Sequence, residues 1–396
     1  MPRKQQRAKK IPFAKGFTRP NKQEIKQAIG SKDISYDFEM KRPSDGKSLF
    51  YKLVPDPTSI DDWLAQYVED RDSYDEWMEL RKRVCKKNSI QLEKDICLVW
   101  LERENTNHPR KQFMVHLKRF IEAFYFGIHV RILDPFVIKK SKNQYYIEFN
   151  DAKYNISSRR CHEYDEEQAG ENEIQFRAAD VLVPIHRLKK TIEKEISCIC
   201  GVTMEDLFIG KKDSFTCGLA QGGDHIGVFS MCRYNPAFRS EENSTEEKNI
   251  SVEWESDGIV DVEKLSSNDL IIIERCCKIV VHELAHMQQI GHCVYFDCIM
   301  NGSGWLEEDY RQSIHLCPVD LRKFQTLMNF DILERYKALL RFYKEYHMNE
   351  AALWVQDMIQ YLTTSQQENN GDGSNKERPV SPVNSYNSSS KKSKIK

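Results

Sequence analysis

The chain has 396 residues and carries 59 Lys and Arg against 60 Asp and Glu, so it exceeds one small domain and offers no overall charge for holding a polyanion. No apolar run approaches the ~18 residues of a membrane span, and Met1–Lys10 is basic with no apolar region behind it, so neither a membrane segment nor a secretory signal is expected. The 12 cysteines, scattered through a chain of this kind, read as reduced thiols and metal ligands rather than disulfides, which points to a cytoplasmic or nuclear address.

Residues 1–44 open rich in Lys, Arg and Gln and are expected as a basic, disordered tail. Residues 45–109 hold Trp63, Trp77 and Trp100, which imply packing. Over 110–126, Phe113, Leu117, Phe120, Ile121 and Phe124 recur at helical spacing, and Gly127 is a natural stop. Val130 to Leu133 reads as a strand closed by Asp134-Pro135. A hairpin is expected over 144–156, with Tyr145, Tyr146, Ile147 and Phe149 on one arm. Ala178, Val181, Leu182, Ile185 and Leu188 give a helix over 174–190. Ile196 to Leu207 and the runs 214–221 and 226–232 read as strands, with Gly218-Leu219-Ala220 a candidate sheet edge. A long helix over 267–289 opens on the capping chemistry of Ser266 to Asp269 and turns Leu270, Ile273, Cys277, Val280, Val281 and Leu284 inward. Helices fill 320–346 and 348–362. The polar stretches 155–173 and 239–258 read as surface loops, and 363–396 as a low-complexity, disordered tail. Helix, strand, helix, strands and helix in this order fit an α/β layer with a mixed sheet backed by helices.

The long helix carries the chemistry. His282-Glu283-Leu284-Ala285-His286 places two imidazoles on one face at neighbouring turns, with a carboxylate between them. His292 follows, six residues after His286 and past the helix end. Three protein ligands with a fourth position open are the arrangement of a catalytic rather than a structural zinc. For any one of these histidines a satisfied core or surface imidazole is the commoner explanation. Their combination with Glu283 and Met300 favours the metal.

This run resembles the metzincin signature H-E-x-x-H-x-x-G-x-x-H followed by a methionine turn. Within the metzincins it is similar to the archaemetzincins, because His292 is followed at once by Cys293, then by Cys298 and Met300. Cys317-Pro318-Val319-Asp320-Leu321-Arg322-Lys323 is similar to the C-P-x-C-L-R-K segment of that family. Flanking stretches agree: Phe124-Tyr125-Phe126-Gly127, Gly201 to Leu207, Gly227-Val228-Phe229-Ser230 and Glu334 to Leu339. The likeness runs from about residue 45 to about 362. It implies an archaemetzincin-like catalytic domain over 45–362 of α/β (α+β) class, a metzincin-like zincin. A mixed twisted sheet would be backed by helices, with an active-site helix over about 267–289 and a small lower subdomain over 292–362.

The resemblance also implies roles. His282, His286 and His292 would hold the catalytic Zn2+, Glu283 would serve as general base and acid, and Met300 would form the methionine-turn floor. Cys293, Cys298, Cys317 and the residue at 320 would hold a second, structural zinc. Tyr295, Asn301 and Tyr310 are candidates for assisting the oxyanion. Two positions depart from the family pattern. Gln289 stands where a glycine lets the chain leave the helix in a left-handed conformation, and Gly291 is an alternative host for that turn. Asp320 stands where the second site has a cysteine; a carboxylate can ligate zinc, and His315 is another candidate fourth ligand. The expected activity is zinc-dependent hydrolysis of peptide or protein substrates. The alternative is a catalytically weak or inactive zinc protein that acts as a binding module. Near-neutral charge and the lack of zinc-finger spacing argue against a nucleic-acid partner, and oligomeric state is not written in the sequence.

Overall fold

The computed structural model describes residues 11–85, 92, 95–104, 110–161, 174–192, 196–211, 214–236, 238 and 262–371. In chain order the helices and strands are α1 (Lys22–Ile29), α2 (Trp63–Gln66), α3 (Tyr74–Cys85), β1 (Asp95–Arg103), α4 (Arg110–Phe124), β2 (Val130–Ser141), β3 (Gln144–Phe149), β4 (Ala152–Ile156), β5 (Ser158–Arg160) and β6 (Ile174–Arg177). There follow α5 (Ala178–Ile192), β7 (Ile196–Thr203), β8 (Asp206–Phe208), β9 (Gly218–Gln221), β10 (Ile226–Ser230), α6 (Ser267–Met287), α7 (Leu306–Arg311), α8 (Pro318–Met328), α9 (Ile332–Glu345) and α10 (Asn349–Gly371).

The main sheet has seven strands in the order β4-β3-β2-β1-β7-β10-β9. Its centre is parallel, β2 with β1, β1 with β7 and β7 with β10, and antiparallel hairpin partners close both sides. Strand β1 explains the layering. Its interior is continuously buried, so both faces must be covered. Ile96, Leu98 and Trp100 join one apolar cluster with α4, α6, α8, α9 and α10, while Cys97, Val99 and Leu101 join a second cluster with α5. The period-two alternation of one strand thus serves two cores. A smaller sheet, β5-β6-β8, lies apart from the main one. The fold is the expected mixed sheet backed by helices. Among the described residues no helix is long and apolar enough to cross a membrane.

Several sequence expectations shift. Asp134-Pro135 does not end β2; the register with β1 jumps between Val99 and Leu101, so this dipeptide bulges opposite Trp100 and the strand continues. A bulge is where a proline, lacking an N–H, is tolerated inside a sheet. The helix expected over 174–190 begins as strand β6, and that expected over 320–346 divides into α8 and α9, because Asn329 adopts φ +54°. Only 218–221 of the run 214–221 is strand, and it does form the sheet edge as β9.

The amino-terminal reading needs the largest correction. Residues 11–44, expected within a disordered tail, are folded. Asn21 and Glu24 form a capping box at the start of α1, and Gly30 closes it at φ +62°. Ile25, Ala28 and Ile29 are buried where α1 packs on α3 and α8. Their i, i+3, i+4 spacing was masked by the surrounding lysines and glutamines. At the other end α10 runs through Gly371, past the expected limit at 362. Residues 1–10 and 372–396, and most of the loops expected over 155–173 and 239–258, lie outside the described residues.

Candidate metal centre

Helix α6 is a rigid support for the centre. Ser266 and Asp269 form a capping box at its start, and Ile272, Ile273, Cys276, Cys277, Val280, Val281, Leu284 and Ala285 bury one side of it. The Tyr125 hydroxyl donates to the Val281 carbonyl at 2.8 Å, beside the first histidine. At the other end the chain leaves the helix through Gln289, which adopts φ +64°. Gln289 N donates to His286 O at 2.9 Å and Ile290 N to Ala285 O at 3.1 Å, the two closing bonds of a Schellman motif. The left-handed position therefore stays where a glycine would stand, on Gln289 itself, and not on Gly291. His225, in the turn between β9 and β10, braces this end through Nδ1, 2.7 Å from the Met287 carbonyl.

That exit returns His292 to the helix face. The ring centroids of His282, His286 and His292 lie 4.5, 5.5 and 4.8 Å apart, and one nitrogen from each falls within 4.8 Å of the others. Each Nδ1 is already engaged: His282 with the Ile299 carbonyl at 2.7 Å, His286 with the Ile290 carbonyl at 2.8 Å, and His292 with the Glu69 carboxylate at 2.7 Å. Protons on Nδ1 leave three Nε2 lone pairs converging, with those of His282 and His286 only 2.9 Å apart. A cation among them fits this donor set, whereas bare lone pairs at that separation repel. Burial first, and then the neighbouring histidines, push the His282 imidazole well below its usual value and His286 down to about 4, so both stay neutral, as metal ligands must. Burial pushes the Glu283 carboxyl up to about 8, and the like charge of Asp309 adds to the rise. Asp309 in turn accepts from the Tyr234 hydroxyl at 2.8 Å.

A second group lies directly beyond His292. One ligand atom each from Cys293, Cys298, Cys317 and Asp320, all buried, fall within 4.8 Å of one another. The Cys293 and Cys317 sulfurs are 3.6 Å apart, and Asp320 Oδ2 is 3.3 Å from both the Cys298 and Cys317 sulfurs. Backbone N–H groups of Met300, Cys317 and Asp320 point at these sulfurs. Burial raises the Cys298 and Cys317 thiols; at Cys293 burial is outweighed by hydrogen bonds from both of them and from the backbone, which pull its thiol well below the usual range. Burial pushes the Asp320 carboxyl up to about 7, against the pull of Lys323. Lys323, itself fully buried, bridges Asp320 at 3.1 Å and Asp72 at 2.9 Å. His315 is not part of this group; its ring stacks on Trp354 with centroids 4.0 Å apart.

The oxyanion candidates do not gather at the centre. Tyr295 is buried. Asn301 knits the loop, accepting from Cys298 N at 2.8 Å and donating to the Cys293 and Phe296 carbonyls. The Tyr310 hydroxyl donates to Arg233 O, although its side chain lines a cavity beside His282 with Tyr234 and Asp309. Met300 is fully buried, one residue after the carbonyl that anchors His282. Sequence reasoning missed Glu69, Asp72 and the Tyr234–Asp309 pair, all remote from the zinc motif with no spacing to announce them.

The family model for peptidase family M54 matches residues 255–326, the stretch that carries all three histidines and all four members of the second group. Together with this site, the match makes the chain a zinc metallopeptidase. Archaemetzincin-2 of Mus musculus is 27% identical, the alignment covering 74% of this chain and 75% of the mouse protein. Archaemetzincin-2 of Homo sapiens is 29% identical over 60% of each chain. A solved structure of archaemetzincin from Methanopyrus kandleri is 18% identical, covering 59% of this chain and 96% of its own, with a TM-score of 0.35. The chain is thus similar to the archaemetzincins, most specifically over the stretch that holds both groups.

Proposed function

We propose that His282, His286 and His292 hold one catalytic zinc ion through Nε2, and that Glu283 is the general base and then the general acid of peptide-bond hydrolysis. The observation that carries this reading is the anchoring of every Nδ1, which leaves one further nitrogen on each of three clustered rings for a metal. When bound, zinc supplies a Lewis acid that polarises a carbonyl and acidifies water. Glu283 takes the proton of the attacking water and delivers it to the departing amine, and its buried setting favours holding that proton between the two steps. Strand β9 lies at the sheet edge, where an extended peptide can add as a further strand, so backbone rather than sequence is read first. Its following turn brings Gly222 against the His286 carbonyl, which places that edge beside the centre.

Cys293, Cys298, Cys317 and Asp320 are proposed to hold a second zinc, with the carboxylate in place of a fourth thiolate. Met300 is proposed as the methionine-turn floor. Among the described residues eleven cysteines are free thiols, most of them buried, which supports a reducing compartment, cytosol or nucleus.

The test is cleavage of a mixed peptide library by the purified full chain, beside Glu283→Gln and a chelator-treated sample. Cleavage abolished in both controls is expected. Zinc bound but no peptide cleaved would instead make the protein a binding module.

A further inference from the structure

Residues 63–69 lie more than 200 positions before the zinc motif, yet they form a wall of the centre. Glu69 Oε1 is 2.7 Å from His292 Nδ1. The Trp63 indole N–H donates to that same oxygen, and its ring meets His292 edge-on with centroids 5.2 Å apart. Tyr67 packs against the indole at 4.3 Å. On its far side Trp63 lies on Gly302, where any Cβ would come within 2.5 Å of the indole. The Trp63 backbone N–H is held by Glu308 at 2.8 Å. His282 and His286 are anchored by carbonyls within their own helix end and loop, but His292 has no such backbone acceptor among its described contacts.

We propose that Glu69, aimed by Trp63, is a positioning residue that fixes the tautomer and rotamer of His292 and thereby sets the affinity of the catalytic metal. The inference rests on the reading of His292 as a ligand. A carboxylate is the strongest acceptor available to an imidazole N–H, and it makes the opposite nitrogen more basic. His292 follows the strained left-handed residue and sits outside the helix, so it is the ligand whose direction the helix does not fix. The bond from Glu69 replaces that missing constraint.

The experiment is zinc competition against a graded chelator on the full chain, with cobalt substitution to separate the sites. Thiolate charge-transfer absorption reports only the cysteine group, so the histidine site is read independently of it. Glu69→Ala is expected to weaken the histidine site by roughly 10–100-fold, and Glu69→Gln, which keeps an acceptor oxygen, to recover most of that loss. The metal-free melting temperatures of the two variants should agree, which a merely structural role would not produce. Equal zinc affinity for wild type and Glu69→Ala would overturn the proposal. If Glu69→Ala does not fold, Trp63→Phe keeps the ring and removes the aiming N–H; a severalfold loss supports the proposal and none defeats it. His286→Ala is the control on the underlying reading: if it retains the full zinc content, the ligand assignment itself fails, whatever Glu69 does.

Discussion

Gln289 shows how one residue can depart from a motif without undoing it. The left-handed turn belongs to the backbone, and Gln289 adopts it at φ +64° although glycine would do so freely. The strain is about 1–2 kcal/mol, small beside the binding free energy of a zinc site. Its side chain recovers none of this through hydrogen bonding, since Oε1 is buried without a partner. Gln289→Gly should therefore stabilise the protein by roughly 0.5–1 kcal/mol, once the extra freedom of glycine in the unfolded chain is subtracted. A higher denaturation midpoint with unchanged zinc content is the expected result. A lower midpoint would mean that the glutamine side chain contributes packing that outweighs the strain.

Between elements, the α4–α9 contact supplies a pH-dependent term. His116 on α4 is fully buried, with Nδ1 2.5 Å from the Tyr346 hydroxyl just beyond α9. Burial, reinforced by Arg119, pushes its imidazole down to about 4. In the unfolded chain the group binds a proton near pH 6.5, so between 6.5 and 4 the unfolded state holds more protons than the folded one. Stability from this group is thus complete above pH 6.5 and declines as the pH falls towards 4, by roughly 3 kcal/mol in all. His116→Asn keeps an acceptor near the Nδ1 position and cannot titrate. Denaturant titrations at pH 7 and pH 4.5 should show a smaller acid loss in the variant than in wild type. Equal losses would show that the folded imidazole takes up its proton about as readily as the unfolded one.

For the whole molecule, the lower loop from Cys293 to Cys317 is the part with least regular structure, carrying only the short helix α7. It is fixed by the Asn301 hydrogen bonds, by the Leu53–Phe296 bridge to the amino-terminal segment, and by the Cys293, Cys298, Cys317 and Asp320 group. The sheet and the apolar cluster on its α5 face contain none of the proposed metal ligands. Chelation should accordingly leave the far-ultraviolet circular dichroism unchanged while opening this loop to limited proteolysis. Cys293→Ser should show the same cleavage without chelator and lose one zinc while keeping the other. A loop that stays protected after both treatments would show that the amino-terminal segment alone suffices. That segment is firmly docked, since Arg42 and Ser44 each reach the buried Asp357 on α10 at 2.7 Å.

Local periodicity determined a good deal of this protein in advance. The i, i+4 spacing of His282 and His286, the capping residues of α6 and the apolar rhythm of α4 and the 144–156 hairpin are properties of short segments, and each formed where expected. The four members of the second group and the third histidine were also legible as residue types in order. The rest was decided by closure of the chain. Glu69 meets His292 across 223 positions, and Lys323 reaches Asp72 across 251. Such pairs leave no period in the sequence, because what brings them together is the packing of the segment around Trp63 and Trp77 against the distant zinc-motif region. The bulge at Asp134-Pro135 and the left-handed Gln289 share that origin: in both, the sheet or the site dictates a conformation that the residue alone would not select. The helix repeat wrote the first two histidines and the glutamate into the sequence; only the tertiary structure determined what aims the third.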